Sequence, residues 1–96
     1  FFRAEGFLDS NRDGTKNLGF ALHTGADDAY RCITLPINID IKENQTNKLS
    51  LTLDAKKIFG TNPIYDINQN PQLHSLSQLP QVIQIADNIK NAFTID

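Results

Sequence analysis

"ITLPINIDI", residues Ile33 to Ile41, is the stretch on which the fold turns. Its odd positions carry Ile33, Leu35, Ile37, Ile39 and Ile41, and its even positions carry Thr34, Pro36, Asn38 and Asp40. Successive side chains of an extended strand point to opposite faces. The alternation therefore predicts a long strand with one buried face and one wet face. Pro36 has no amide hydrogen to give a ladder, which marks an edge strand, a bulge or a break between two short strands.

The pattern continues on both sides. Leu49, Leu51 and Leu53 alternate with Ser50, Thr52 and Asp54, so Lys42 to Lys48 is expected to be a polar hairpin loop. Leu18, Phe20 and Leu22 predict another strand, and Phe1 to Leu8 one more. Helical signals are short and late. Asp54 can cap "AKKIF", with Gly60 as its stop. The following stretch to Pro80 is rich in Asn, Gln and Pro and reads as loop. Val82, Ala86, Ile89 and Phe93, with Ile85 alongside, share one face of an amphipathic helix beginning near Pro80, whose fixed φ suits a first turn. The expected fold is all-β: an antiparallel β-sandwich with a short C-terminal amphipathic helix. Four strands hardly close a sandwich. Residues 1–96 are thus expected to be the C-terminal portion of a single domain, with an N-terminal part supplying the remaining strands. The opening "FFRAEGF", which lacks an initiator Met, agrees with a fragment or processed product.

Composition excludes several function classes. The formal charge is −2 and the pI about 5.5, with no basic run. A nucleic-acid-binding domain would be expected to show a pI above about 9. No apolar stretch approaches the roughly 18 residues of a membrane span, and no signal-peptide pattern is present. One cysteine, Cys32, allows no internal disulfide and no multi-cysteine zinc site. Met and Trp are absent, which removes thioether-rich copper sites from this chain.

Two groups of residues point to metal chemistry. In "LDSNRDGTKN", Asp9, Asn11 and Asp13 stand at alternate positions before Gly14, as in the first half of a calcium loop. An EF-hand needs an acidic twelfth residue, which is Phe20 here, and flanking helices. The favoured reading is a polar turn, where Asp, Asn and Gly serve the backbone; the alternative is a weak calcium site. The other group is the two histidines. If Leu18, Phe20 and Leu22 are buried, His23 projects from the opposite face beside Gly19 and Ala21, with room near Gly25 for something to approach its imidazole. It is either a surface histidine at a strand end or a ligand. His74 lies in the polar loop before the helix. An enzyme is not expected: His74 and Ser75 are adjacent and point apart on an extended chain, and no nucleophile elbow, zinc-protease or phosphate-loop motif occurs.

Taken together, "FFRAEG", "FALHTGADDAYRCITL", "LSLTLDAKKIFG" and "IADNIKNAF" resemble the C-terminal half of the MbnP-like copper-binding family. The matching residues are Glu5-Gly6, Phe20 to Gly25, Asp54 to Phe59 and Ile85 to Phe93. The resemblance implies an exported, non-enzymatic protein of the bacterial periplasm or cell envelope. It also implies histidine-held copper, an oxidised tryptophan taking part, and a di-haem cytochrome c peroxidase-like partner. The tryptophan segment would precede Phe1, so this chain would hold part of the site. His23 matches the family's F-x-F-H-x-G motif; His74 matches no motif firmly. The competing expectation is a metal-free or calcium-steadied structural or recognition β-domain.

Overall fold

The computed structural model describes residues 1–96. Strand β1 (Arg3–Leu8) and strand β2 (Leu18–His23) form an antiparallel hairpin, with Arg3 opposite His23 and Leu8 opposite Leu18. The turn between them is held by Asp9, whose Oδ1 accepts from the Asp13 amide at 3.1 Å and whose Oδ2 accepts from the Gly14 amide at 2.7 Å. Gly14 has φ +88°, a left-handed conformation that glycine adopts without a Cβ penalty.

Strand β3 (Leu51–Leu53) leads into a 3₁₀ turn at Ala55–Phe59. Asp54 caps this turn by accepting from the Lys56 amide at 3.0 Å, and Gly60 ends it at φ +73°. After an irregular stretch, strand β4 (Gln72–Leu73) joins β2 in parallel. Helix α1 (Leu79–Lys90) follows, with Pro80 in its first turn, and strand β5 (Phe93–Ile95) returns to pair antiparallel with β3. The result is a three-stranded sheet ordered β1-β2-β4 and a separate two-stranded sheet, with α1 packed against the 3₁₀ turn at Ala55–Phe59 and the short turn at Asp27–Ala29.

The core is small and well defined. Leu22, Leu73 and Ile85 are fully buried, joined by Val82, Ala86, Ile58, Tyr65 and Ala92. Helix α1 presents Val82, Ile85 and Ala86 inward, as its apolar spacing requires. Asn88 fastens it to the 3₁₀ turn by donating its side-chain amide to the Ile58 carbonyl at 3.0 Å. Phe93, expected at the end of the helix, instead begins β5 opposite Leu53.

Ile33 to Ile41 is not a strand in this structure, and Lys42 to Lys48 closes no hairpin. The segment carries no ladder, and Ile33, Ile37, Ile39 and Ile41 are exposed, as are Leu49, Leu51 and Leu53. An alternating pattern specifies two faces, but a strand also needs a neighbour's amides and carbonyls and a layer to cover the apolar side. Neither is present on this side of the molecule. The radius of gyration of 16.8 Å reflects the projecting segment, since a compact domain of this length would have roughly 12–13 Å.

Candidate metal site

The parallel register of β2 and β4 places Ala21 beside Gln72 and Leu22 beside Leu73. One residue further, His23 and His74 become neighbours. Their ring centroids lie 5.9 Å apart, with the planes tilted by 48°. Leu22 and Leu73 point into the core, so by strand alternation both histidines point away from it. His23 is thus on the face expected from its sequence. His74 lies directly after a strand, where a loop was expected, because β4 is too short to show a period.

Each imidazole has its Nε2 engaged. His23 Nε2 donates to Glu5 Oε1 at 2.8 Å, and Glu5 Oε2 accepts from Arg3 Nη2 at 2.7 Å. The hydrogen bond from Arg3, then that from His23, holds the Glu5 carboxyl below its ordinary range despite some desolvation. His74 Nε2 donates to Gln72 Oε1 at 3.3 Å, and Gln72 in turn donates its amide to the Gly19 carbonyl at 3.2 Å. The backbone at His74 is clasped by Gln78. Its Oε1 accepts from the amides of His74 and Ser75, each at 3.2 Å, while its Nε2 donates to the Gln72 carbonyl at 2.7 Å. The Ser75 side chain completes a capping box with Gln78.

Both rings border one cavity of about 250 Å³, together with Phe1, Leu76, Leu79 and Val82. Phe1 meets His23 edge-on, centroids 6.4 Å apart. Its ring also lies over Gly25, where a Cβ would stand 3.2 Å from Phe1 Cε2, so the small residue there admits the aromatic lid.

The Asp9, Asn11 and Asp13 group is at the other end of the β1–β2 hairpin and shares nothing with the histidines. Both Asp9 carboxylate oxygens accept turn amides, and Asp13 Oδ1 accepts from the Thr15 amide at 2.8 Å. Partial burial pushes the Asp9 carboxyl up, but the amides of Gly14, Asp13 and Arg12 together outweigh it and hold the group below its usual value. The turn is accounted for without an ion. Cys32 is exposed beside the Tyr30 hydroxyl, 3.8 Å from it.

No three His, Cys, Asp or Glu side chains converge on one point. Two imidazoles alone fit neither the four ligands of structural zinc nor the oxygen cage of calcium. They suit a copper ion of low coordination number, for which imidazole is a good donor. Metal–imidazole bonds of about 2.0–2.1 Å would set the two ring centres at most roughly 6–6.5 Å apart, and the observed spacing of 5.9 Å lies within that reach. Glu5, Gln72 and Gln78 carried no assigned role in the sequence reading. The serine-to-glutamine spacing of "SLSQ" is the one local signal that could have marked Gln78, whereas the partners of the histidines depend on strand register. Compared with known proteins, the chain matches no family model, no curated protein and no solved structure.

Proposed function

We propose that these residues form the histidine-bearing part of a copper-binding, non-enzymatic protein of the bacterial cell envelope, of the MbnP-like type, with His23 and His74 as ligands. The observation that carries this reading is the 5.9 Å approach of two imidazoles from distant parts of the sequence, at the rim of one cavity. Both have a hydrogen-bond partner on one ring nitrogen, the arrangement that ligand histidines usually show. Copper would supply one-electron redox chemistry or simply be stored; the chain's residues hold the rings, set Phe1 edge-on against His23 and leave one side open. The redox partner inferred from the resemblance is a di-haem enzyme of the cytochrome c peroxidase type. The uncovered apolar side chains from Ile33 to Leu53 support the further proposal that an N-terminal part of the same domain lies over them, completes a sandwich and contributes any third ligand.

A second reading is a metal-free structural or recognition β-domain, favoured by that same apolar surface. A calcium-steadied version has less support, because Asp9 and Asp13 serve the turn amides and no three acidic side chains converge there. Copper titration against a competing chelator separates the two. The copper reading expects binding that His23→Ala and His74→Ala each weaken strongly, since a site with so few ligands cannot spare one. Unchanged affinity in both variants would overturn the histidines as ligands, and a wild type that binds no copper would leave the metal-free domain as the account.

A further inference from the structure

Three strands contribute to one outward face in two adjacent rows. The register aligns Glu5, Ala21 and Gln72 across β1, β2 and β4, and aligns Arg3 with His23, beside which His74 follows. The first row reaches up to the second from both sides of Ala21, whose small side chain leaves the space between them free. Glu5 bonds His23 Nε2 and Gln72 bonds His74 Nε2.

These two bonds fix which nitrogen of each ring carries the hydrogen when the ring is neutral, the form that binds a metal. A carboxylate paired with Arg3 can only accept, so His23 Nε2 must carry the hydrogen. Gln72 spends its NH₂ on the Gly19 carbonyl, which leaves its oxygen to face His74, so His74 Nε2 carries a hydrogen as well. A neutral imidazole with one N–H has its free lone pair on the other nitrogen. The cavity geometry agrees. His23 and His74 border the cavity with Phe1, whereas Glu5 and Gln72 do not; they line a separate groove with Phe7 and Phe20. The Nε2 atoms are therefore turned toward the groove side.

We propose that Glu5 and Gln72 are positioning residues that lock both imidazoles as Nε2–H tautomers, so that copper is taken up through the Nδ1 atoms of His23 and His74. This rests on the copper reading above and adds which nitrogens bind and what selects them. The same device sets a specificity: it offers two neutral nitrogen donors and withholds the Glu5 carboxylate, which favours a copper(I)-like cation over oxygen-seeking ions.

The test uses long-range proton–nitrogen NMR of the metal-free protein, which reads the tautomer of each histidine, together with copper(I) titration against a chelator. The variants are Glu5→Gln, Glu5→Leu and Gln72→Leu. The wild type is expected to show both rings as Nε2–H. Glu5→Leu should mix the tautomers of His23 and weaken copper about 10–100-fold, while Glu5→Gln, which keeps an acceptor oxygen, should restore both readouts to near wild type. Nδ1–H tautomers in the wild type would overturn the proposal. So would Glu5→Leu and Gln72→Leu variants that keep their tautomers and copper affinity while His23→Ala loses copper; the copper reading would then survive. A wild type that binds no copper through its histidines would overturn both.

Discussion

Leu22 and Leu73 stand side by side in the parallel ladder of β2 and β4, both essentially without exposed surface. That pair is the hinge between fold and site, since the residue after each is a histidine of the candidate metal centre. Leu73→Ala should therefore do two things. It should cost about 2–5 kcal/mol, the range for emptying a fully buried leucine site, and it should loosen the register that brings His74 to His23. Denaturant unfolding reads the first and copper titration the second. Copper affinity lost in folded Leu73→Ala protein is the expected combination.

Gly60 offers a sharper contrast. At φ +73° it would place a Cβ 2.9 Å from both the Pro63 carbonyl oxygen and Asn88 Nδ2, so alanine there combines left-handed strain with a clash against backbone. Gly14, at φ +88°, has nothing within 4 Å of that position. Gly14→Ala should cost about 1–2 kcal/mol, the left-handed penalty alone, and Gly60→Ala distinctly more. Equal losses in melting experiments would contradict the packing assigned around Gly60.

The Asp9 turn predicts a pH signature. A carboxyl held below its ordinary value of 3.8 stabilises the fold above that pH and loses the contribution as pH falls through the lowered value. Asp9→Ala should accordingly melt below wild type at neutral pH, with the gap closing in acid. Millimolar calcium should leave the wild-type melting temperature unchanged. A calcium-dependent rise abolished by Asp13→Asn would show that the turn holds an ion.

The uncovered stripe makes a prediction about these residues expressed alone. With Ile37 and Ile39 exposed and the segment outside any ladder, they should aggregate readily. Changing both to Thr should improve solubility while costing little stability, because no core contact is lost. Light scattering and thermal melts of the two proteins check this, and unchanged aggregation would point to another surface.

Much of the local structure was legible in the sequence. Leu18, Phe20 and Leu22 marked β2 and its faces; Asp54 and Gly60 marked both ends of the 3₁₀ turn; Pro80 and the Val82–Ile85–Ala86 spacing marked α1. What failed depended on partners distant in the chain. Ile33 to Ile41 has a strand's alternation but nothing to pair with here. β4, only 2 residues long, carries no period, yet its parallel pairing creates the histidine site. Phe93 fits a helical face and a strand equally well, and pairing with Leu53 decides between them. His23 was placed on the correct face by parity alone, whereas its proximity to His74 required a register no local pattern encodes.

The central claim is that copper is held by the two imidazoles, and the exposed thiol of Cys32 is its natural competitor for a soft cation. X-ray absorption at the copper edge of the copper(I)-loaded protein distinguishes them directly. The account predicts a nitrogen shell with imidazole scattering and no sulfur, unchanged in Cys32→Ala and lost in His23→Ala. A sulfur shell near the ~2.3 Å typical of metal–thiolate bonds, or a spectrum indifferent to His23→Ala, would contradict it.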